Sequence, residues 1–172
     1  AKFDYNGTIK TSEGKYYTIS NGKTKKEERV LLEGTCGSNV SWVYLESNVL
    51  YITGKGKMKD YEQGKAPWYR YSRNMKYFVI DNGVTGIGAN SFSDCIKLTE
   101  ISIPKSVTTI GRRAFSGCVG LKNIVIPNSV ESIGEEAFYN CIDLENVYVP
   151  LSITTIGKSA FAHGGENVCY VN

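Results

Sequence analysis

The stretches LTEISIPKSVTTIGRRAFSGC (98–118) and LKNIVIPNSVESIGEEAFYNC (121–141) carry one pattern twice, at an interval of 23 residues. The pattern extends beyond both stretches, and we call each set of positions that recur at this interval a column. The columns hold Gly88, Gly111, Gly134 and Gly157; Phe92, Phe115, Phe138 and Phe161; Cys95, Cys118 and Cys141; Leu98, Leu121 and Leu144; Pro104, Pro127 and Pro150; Val84, Val107, Val130 and Ile153; and Ile87, Ile110, Ile133 and Ile156. Seven columns in one register indicate a protein built from stacked structural repeats.

Each repeat predicts a short strand followed by an extended return segment. Ile101 and Ile103 alternate with polar residues, which favours a strand with one buried face. Pro104 ends this strand because proline has no N–H to contribute to a ladder. Val107 and Ile110 then point inward from the return segment.

The return segment breaks at Gly111, and residues 112–115 predict about one helical turn that directs Ala114 and Phe115 inward. A single repeat offers about eight apolar side chains, too few to fold alone, so repeats must stack. Equivalent residues on neighbouring parallel strands then lie about 4.8 Å apart. The sequence therefore predicts an α/β solenoid with short parallel strands and one continuous core.

About four 23-residue repeats are expected in this solenoid, with the bounds 75–97, 98–120, 121–143 and 144–166 and an irregular end that continues to residue 172. The first repeat departs from the pattern, because Met75 replaces leucine, Phe78 replaces isoleucine and Asp81 replaces proline.

The fourth repeat decays towards its end. Gly164 falls in the cysteine column, and we expect Cys169 and Val171 to continue the core after a one-residue insertion. No polar capping helix follows, so the last repeat exposes core side chains and a strand edge. We expect either a longer natural protein or self-association through residues 144–172.

Two further segments precede the repeats. The stretch VSWVYLESNVLYIT (40–53) alternates around a polar centre and predicts a β-hairpin. A solenoid needs its open end covered, so residues 34–74 are interpreted as an N-terminal capping module. Residues 1–33 form an N-terminal extension, in which the weak alternation at residues 16–19 predicts another short hairpin or an extended tail.

The repeats resemble those of the BspA-like surface proteins, the Treponema pallidum type of leucine-rich repeat. The segment before them resembles the opening module of many such proteins, through G-x-C-G at 34–37, Trp42, LYITGKGKMKDY (50–61) and APWY (66–69). This resemblance implies a leucine-rich-repeat solenoid in a secreted or cell-surface protein of host-associated bacteria or parasitic protists. It also implies adhesion and, in some members, binding of extracellular-matrix proteins.

Composition argues against several other functions. The chain of 172 residues has a net charge of +3, too little to indicate nucleic-acid binding. The mixed charges of residues 23–29 predict a solvated loop or edge. The sequence has no stretch of 18 or more consecutive apolar residues, so no membrane span is predicted. A single histidine, His163, gives no catalytic or zinc-binding pattern, so we expect no enzyme, no cofactor and no metal.

The five cysteines include three that belong to one column. Cys95, Cys118 and Cys141 follow an inward phenylalanine, where a small apolar side chain fits. We therefore expect them to stack in the core as free thiols.

The leading functional hypothesis is a non-enzymatic protein-binding module that uses the concave strand face, meaning the outward side chains of the repeat strands. These are Tyr77, Val79, Glu100, Ser102, Asn123, Val125, Asn146 and Tyr148. One alternative is a structural spacer or assembly element, with any binding located in the N-terminal module. The other is carbohydrate binding by the aromatic stretch 61–78, through Tyr61, Trp68, Tyr69 and Tyr71. Exposure of Trp68 would favour this last alternative.

Overall fold

The computed structural model describes residues 7–10, 13, 15–20, 23–164 and 167–171. Positions 165, 166 and 172 of the predicted C-terminal surface lie outside the described residues. Within the described ranges a 3-10 helix spans Tyr69–Tyr71, and the strands are β1 (Gly7–Lys10), β2 (Tyr16–Ser20), β3 (Lys23–Glu28), β4 (Val30–Thr35), β5 (Val40–Leu45), β6 (Val49–Gly54), β7 (Gly56–Lys57), β8 (Tyr77–Ile80), β9 (Val84–Ile87), β10 (Thr109–Ile110), β11 (Asn123–Val125), β12 (Ser132–Ile133), β13 (Asn146–Pro150), β14 (Thr155–Ile156) and β15 (Asn167–Val171).

Parallel ladders run along the length of the solenoid, as the repeat pattern predicts. One sheet has the order β7-β9-β10-β12-β14 and joins the return segments of successive repeats. A second sheet, β11-β13-β15, joins the strands of the later repeats. The registers pair residues 23 positions apart, for example Thr109 with Ser132 and Asn123 with Asn146. The predicted leucine-rich-repeat solenoid is therefore confirmed, with each repeat forming one rung.

The predicted helical turn is wrong. Residues 112–117 form turns, and Arg113 adopts a left-handed backbone with a φ of 52°, which stops an α-helix from propagating. Alternate backbone N–H groups of this segment bond to the next rung. Arg113 N donates to Glu135 O at 2.9 Å, and Phe115 N donates to Ala137 O at 2.8 Å. The turns thus form a third inter-rung ladder.

The glycine column permits the close approach of the rungs. A Cβ added at Gly134 would lie 2.5 Å from the backbone nitrogen of Arg112, and one at Gly157 would lie 2.3 Å from that of Glu135. Both distances are shorter than any real Cβ contact, so a larger residue in this column would force the rungs apart.

Stacked phenylalanine rings run through the core beside this column. Successive ring centroids from Phe92 to Phe115, Phe138 and Phe161 lie 5.3, 5.1 and 5.4 Å apart, and neighbouring planes differ by no more than 10°. The first three rings are fully buried, whereas Phe161 is only partly buried at the last rung. The rings therefore couple each repeat to the next.

The hairpin predicted at 40–53 is present and begins the solenoid. β5 and β6 pair antiparallel, and β6 then pairs in parallel with β8, the strand of the first repeat. β7 pairs with β9, and Tyr61 N donates to Ala89 O at 3.0 Å. Residues 49–61 therefore extend all three inter-rung ladders by one step and cover the first repeat.

The N-terminal extension contains a hairpin rather than a plain extended tail. β1, β2 and β3 form an antiparallel sheet, with β3 at its edge. The charged segment 23–29 is thus largely an edge strand, one of the two predicted alternatives. From this sheet Tyr16 packs against a small core of its own, with Val43, Leu45, Val49 and Tyr51.

The C-terminal prediction needs correction. β15 pairs with β13 in parallel, with Val147 opposite Val168 and Tyr148 opposite Cys169. The offset is therefore 21 residues, two fewer than the period, rather than the expected insertion of one residue. This register places Val168 and Tyr170, not Cys169 and Val171, opposite the inward residues Val147 and Val149, and Cys169 is exposed.

We expect replacement of Phe115 by alanine to lower the free energy of unfolding by about 3–5 kcal/mol, because it removes a fully buried ring and leaves a cavity. Phe161→Ala should have a smaller effect, because Phe161 stacks on a described ring from one side only and is partly buried. Urea unfolding of both variants measures the difference. Equal midpoint shifts would contradict coupling through the stacked rings.

Candidate protein-interaction surface

The strand face of the second to fourth rungs presents two rows of side chains. In one row, Glu100 forms an isolated parallel bridge with Asn123, and Asn123 pairs with Asn146. In the other row, Val125 pairs with Tyr148, and the 23-residue period places Ser102 on the preceding rung.

Most of these side chains are accessible. Val125 is 63% exposed and Tyr148 is 37% exposed, which is unusual for large apolar residues of a parallel sheet. Asn146 Nδ2 donates to Asn123 Oδ1 at 2.8 Å, which fixes the amides as a short polar row. This part of the face combines an apolar row with a polar row.

The first rung has different surroundings. Tyr77 and Val79 are half-buried and pack against the small core that includes Tyr51. The ring of Tyr16 meets that of Tyr51 edge-on, with centroids 5.4 Å apart, and Tyr51 Oη donates to Asp81 Oδ1 at 2.8 Å. Tyr77 and Val79 therefore pack against a covered cluster and also line a groove between the first and second rungs.

The sequence contains a signal for this second small core on the outer side of the hairpin. Residues 42–45 and 49–52 are continuous apolar runs, whereas a sheet with one wet face shows alternation. In the structure, Trp42 and Leu50 face the main core, while Val43 and Val49 face the small core. Sequence reasoning took the stretch as an alternating hairpin and missed that both of its faces are buried.

A groove interrupts the strand face between the first and second rungs. It has a volume of about 800 Å³ and lies between residues 76–82 and residues 99–105. β8 pairs with β6 on one side only, and no backbone hydrogen bond joins β8 to residues 99–103, all of which the structure describes. The strand predicted at residues 100–103 is therefore absent, apart from the bridge at Glu100.

Phe78, which stands where the later repeats have Ile101 and Ile124, lines this gap. Its ring stacks on Phe92 at 4.3 Å and reaches Phe115 of the second rung at 5.8 Å. A ring spans more space than an isoleucine side chain, which favours a wider spacing of the two strand segments beside it. Phe78, Ile80 and Ile103 are consequently 6–7% exposed, whereas the inward residues of the two later rungs are at most 2% exposed; these are Ile124, Ile126, Val147 and Val149.

The tryptophan of the predicted aromatic patch is interior, and its three tyrosines are half-buried. Trp68 is 1% exposed, and its Nε1 donates to Ser91 O at 2.6 Å. Rings of Trp42 and Tyr61 meet it edge-on at 5.4 and 5.7 Å. Trp68 therefore fills the junction between hairpin and repeats and is not available as a carbohydrate platform.

The neighbouring tyrosines, all half-buried, have structural partners as well. Tyr71 stacks on Tyr44 with centroids 4.3 Å apart. Tyr69 Oη donates to Asp94 Oδ2 at 2.8 Å, and this hydrogen bond raises the pKa of Tyr69. Burial raises the pKa of Tyr61 to about 12. These rings hold the cap against the first rung.

The column cysteines are free and buried, as predicted. Cys118 Sγ donates to Phe92 O at 3.2 Å, and Cys141 Sγ donates to Phe115 O at 3.3 Å. These two thiols thus bond to carbonyls of the preceding rung, which a methyl group could not do, whereas Cys95 Sγ lies 3.9 Å from Met75 Sδ. Burial raises the pKa of both thiols and suppresses the reactive thiolate.

The surroundings of His163 and of the other polar side chains are also defined. His163 is exposed and meets the ring of Tyr139 edge-on at 5.1 Å. In the described part of the chain, no group of three or more His, Cys, Asp or Glu side chains could hold a metal ion. None of the described helical residues forms a segment long and apolar enough to cross a membrane.

We expect native protein to react with a thiol reagent at one cysteine only, the exposed Cys169. The other four, Cys36, Cys95, Cys118 and Cys141, should react only after denaturant is added, because all are buried. Absorbance of the released chromophore, before and after unfolding, counts the thiols. Rapid native reaction of the three column cysteines would contradict their position in the core.

Comparison with known families supports the repeat assignment. Residues 66–168, more than half of the chain, match the profile of a family described as "BspA type Leucine rich repeat region (6 copies)". A comparison with curated proteins returned no match.

Solved structures of bacterial leucine-rich repeat proteins share the fold. A protein from Eubacterium ventriosum is 23% identical, with a TM-score of 0.63 over 82% of this chain and 44% of its own. A leucine-rich cell surface protein from Faecalibacterium prausnitzii is 22% identical, with a TM-score of 0.59 over 96% of this chain and 38% of its own. The T. pallidum leucine-rich repeat protein is 25% identical, with a TM-score of 0.55 over 75% of this chain and 67% of its own. This chain spans less than half the length of the first two.

Proposed function

Because the chain belongs to the BspA-type leucine-rich repeat family, whose members are generally protein-interaction or surface proteins, we propose that it is a non-enzymatic protein-binding module. We further propose that it is part of a secreted or cell-surface protein of the adhesin type and that it binds through the strand face. The resemblance to a leucine-rich cell surface protein from F. prausnitzii supports this location.

The exposed pair Val125 and Tyr148 carries the proposal. The two residues are paired across neighbouring strands and form an apolar row beside the Asn123–Asn146 amides. Protein-binding surfaces combine apolar or aromatic anchors with polar groups at their rim. Because the inward side chains are committed to stacking, the outward row can bind a partner without loss of core contacts.

The test is binding to a panel of purified extracellular-matrix and host-surface proteins, measured by biolayer interferometry. We expect the double substitution Val125→Lys/Tyr148→Lys to weaken binding on the order of tenfold or more, since it removes apolar contact area and adds two charges. Both side chains are exposed, so the unfolding transition should be unchanged.

The matched control is Ile142→Lys/Ile96→Lys. Ile142 is 63% exposed and Ile96 is 37% exposed, equal to Val125 and Tyr148, but both lie in the turns that precede the strands. This control should bind like the parent protein. If both double variants bind the partner as tightly as the parent protein does, recognition lies outside the strand face.

Assembly through the last rung is a second candidate function. Leu151, Val168 and Tyr170 are 63%, 38% and 60% exposed there. β15 ends its sheet among the described strands, so its outer edge can pair with another strand.

For assembly, we expect sedimentation equilibrium to show an apparent mass that rises with concentration. Val168→Lys/Tyr170→Lys should abolish this rise, because it places charges on the stacking surface, whereas Ile142→Lys/Ile96→Lys should not. A strict monomer at high concentration would exclude assembly through this end.

A further inference from the structure

We propose that the groove between residues 76–82 and 99–105 binds an extended, acidic-ended peptide segment of a partner protein, which adds as a strand to the free edge of β8. The inference rests on the proposed use of the strand face for protein binding and names one recognition mode on it. It concerns the first two rungs, whereas the Val125–Tyr148 row lies on the third and fourth rungs.

The first argument is the free edge. β8 is the last strand of the sheet β4-β5-β6-β8, and its pairing with β6 uses only one of its sides. Alternate residues of a strand direct their N–H and C=O groups to opposite sides, so half of the β8 main-chain groups point at the groove. Strand addition to such an edge is an established mode of peptide recognition.

The second argument is the size and floor of the groove. The four residues of β8 span about 13 Å at about 3.3 Å per residue, and the volume of about 800 Å³ lies in the range of ligand sites. Phe78, Ile80, Ile101 and Ile103 line its inner side; Ile101 is half-buried, and all four are more exposed than the inward residues of the two later rungs. Alternate apolar side chains of a bound strand would cover them.

The third argument is charge. Lys76 lies at one end of the groove and Lys105 at the other, both exposed, while Glu100 is the single acidic residue among its lining. The lining therefore carries one net positive charge, which favours a segment with acidic end residues over a basic-ended one. A basic-ended segment would meet like charges in both places.

The experiment uses the whole chain and a defined peptide. The N-acetylated, C-amidated heptapeptide Glu-Val-Thr-Val-Thr-Val-Glu is titrated into ¹⁵N-labelled protein. We expect saturable chemical-shift changes concentrated in residues 76–82 and 99–105. A lysine-ended version should bind at least tenfold more weakly. Two further peptides are N-methylated, one at the three valine nitrogens and the other at the two threonine nitrogens. One of the two should show a similar loss of affinity, because only one of these sets of N–H groups faces β8.

Variants of the protein provide matched controls. Lys76→Glu and Lys105→Glu should each weaken binding of the acidic-ended peptide several-fold. Lys122→Glu should not, since Lys122 occupies the same column as Lys76 two rungs away and outside the groove. Phe78→Ile restores the repeat residue and should close the groove, with loss of peptide binding. If Phe78→Ile fails to fold, the lysine variants still decide the question.

Several results would overturn the proposal. These are absence of binding at millimolar peptide, shifts located elsewhere, equal affinity of both N-methylated peptides with the parent, or equal effects of Lys76→Glu and Lys122→Glu. If the peptide fails while Val125→Lys/Tyr148→Lys still abolishes binding of a panel protein, the groove proposal is wrong and the proposed function stands. If peptide binding holds while no panel protein depends on Val125 and Tyr148, the broader use of the face is wrong.

Discussion

Close backbone contact between successive rungs is the constraint on which the rest of this structure depends. At the glycine column the main chains approach so closely that a Cβ at Gly134 would lie 2.5 Å from the nitrogen of Arg112. That approach brings the stacked phenylalanine rings to 5.1–5.4 Å and lets Cys118 and Cys141 reach carbonyls of the preceding rung. Glycine, phenylalanine and cysteine recur together because each satisfies one part of the same contact.

Stacking also decides which side chains remain free to function. Inward side chains are packed in the core, and the backbone of the turns is hydrogen-bonded between rungs, so the accessible side chains are the outward row of the strand face and exposed turn residues such as Ile142. At the N-terminal end even this row is partly used, because Tyr16 closes a second small core over β5 and β6. The open face therefore begins at the second rung, and its largest exposed apolar side chains are Val125 and Tyr148.

The sequence predicts the inward side chains well because each column tests the same environment several times. Phe115, Val107 and Cys118 are fully buried, as their columns indicate. Features that occur once are predicted poorly. The 21-residue offset at β15 and the cover by Tyr16 have no second copy in the chain to reveal them. The left-handed residue Arg113 was missed for another reason: arginine gives no local signal for positive φ, and its conformation is imposed by the bond to the next rung.

Phe78 shows how a departure from a repeat can line a site without loss of the fold. In the pattern alone it is a weakened position of the first repeat. In the structure its ring joins the aromatic stack from the strand side, contacting Phe92 and Phe115, and so adds core contacts beside the gap between two strand segments. The return ladder remains paired at the same level, with Gly86 opposite Thr109 and Ile87 opposite Ile110. The first and second rungs are therefore paired at the return segments and unpaired at the strand segments. The fold tolerates this opening of the strand ladder because the other two ladders still join the rungs.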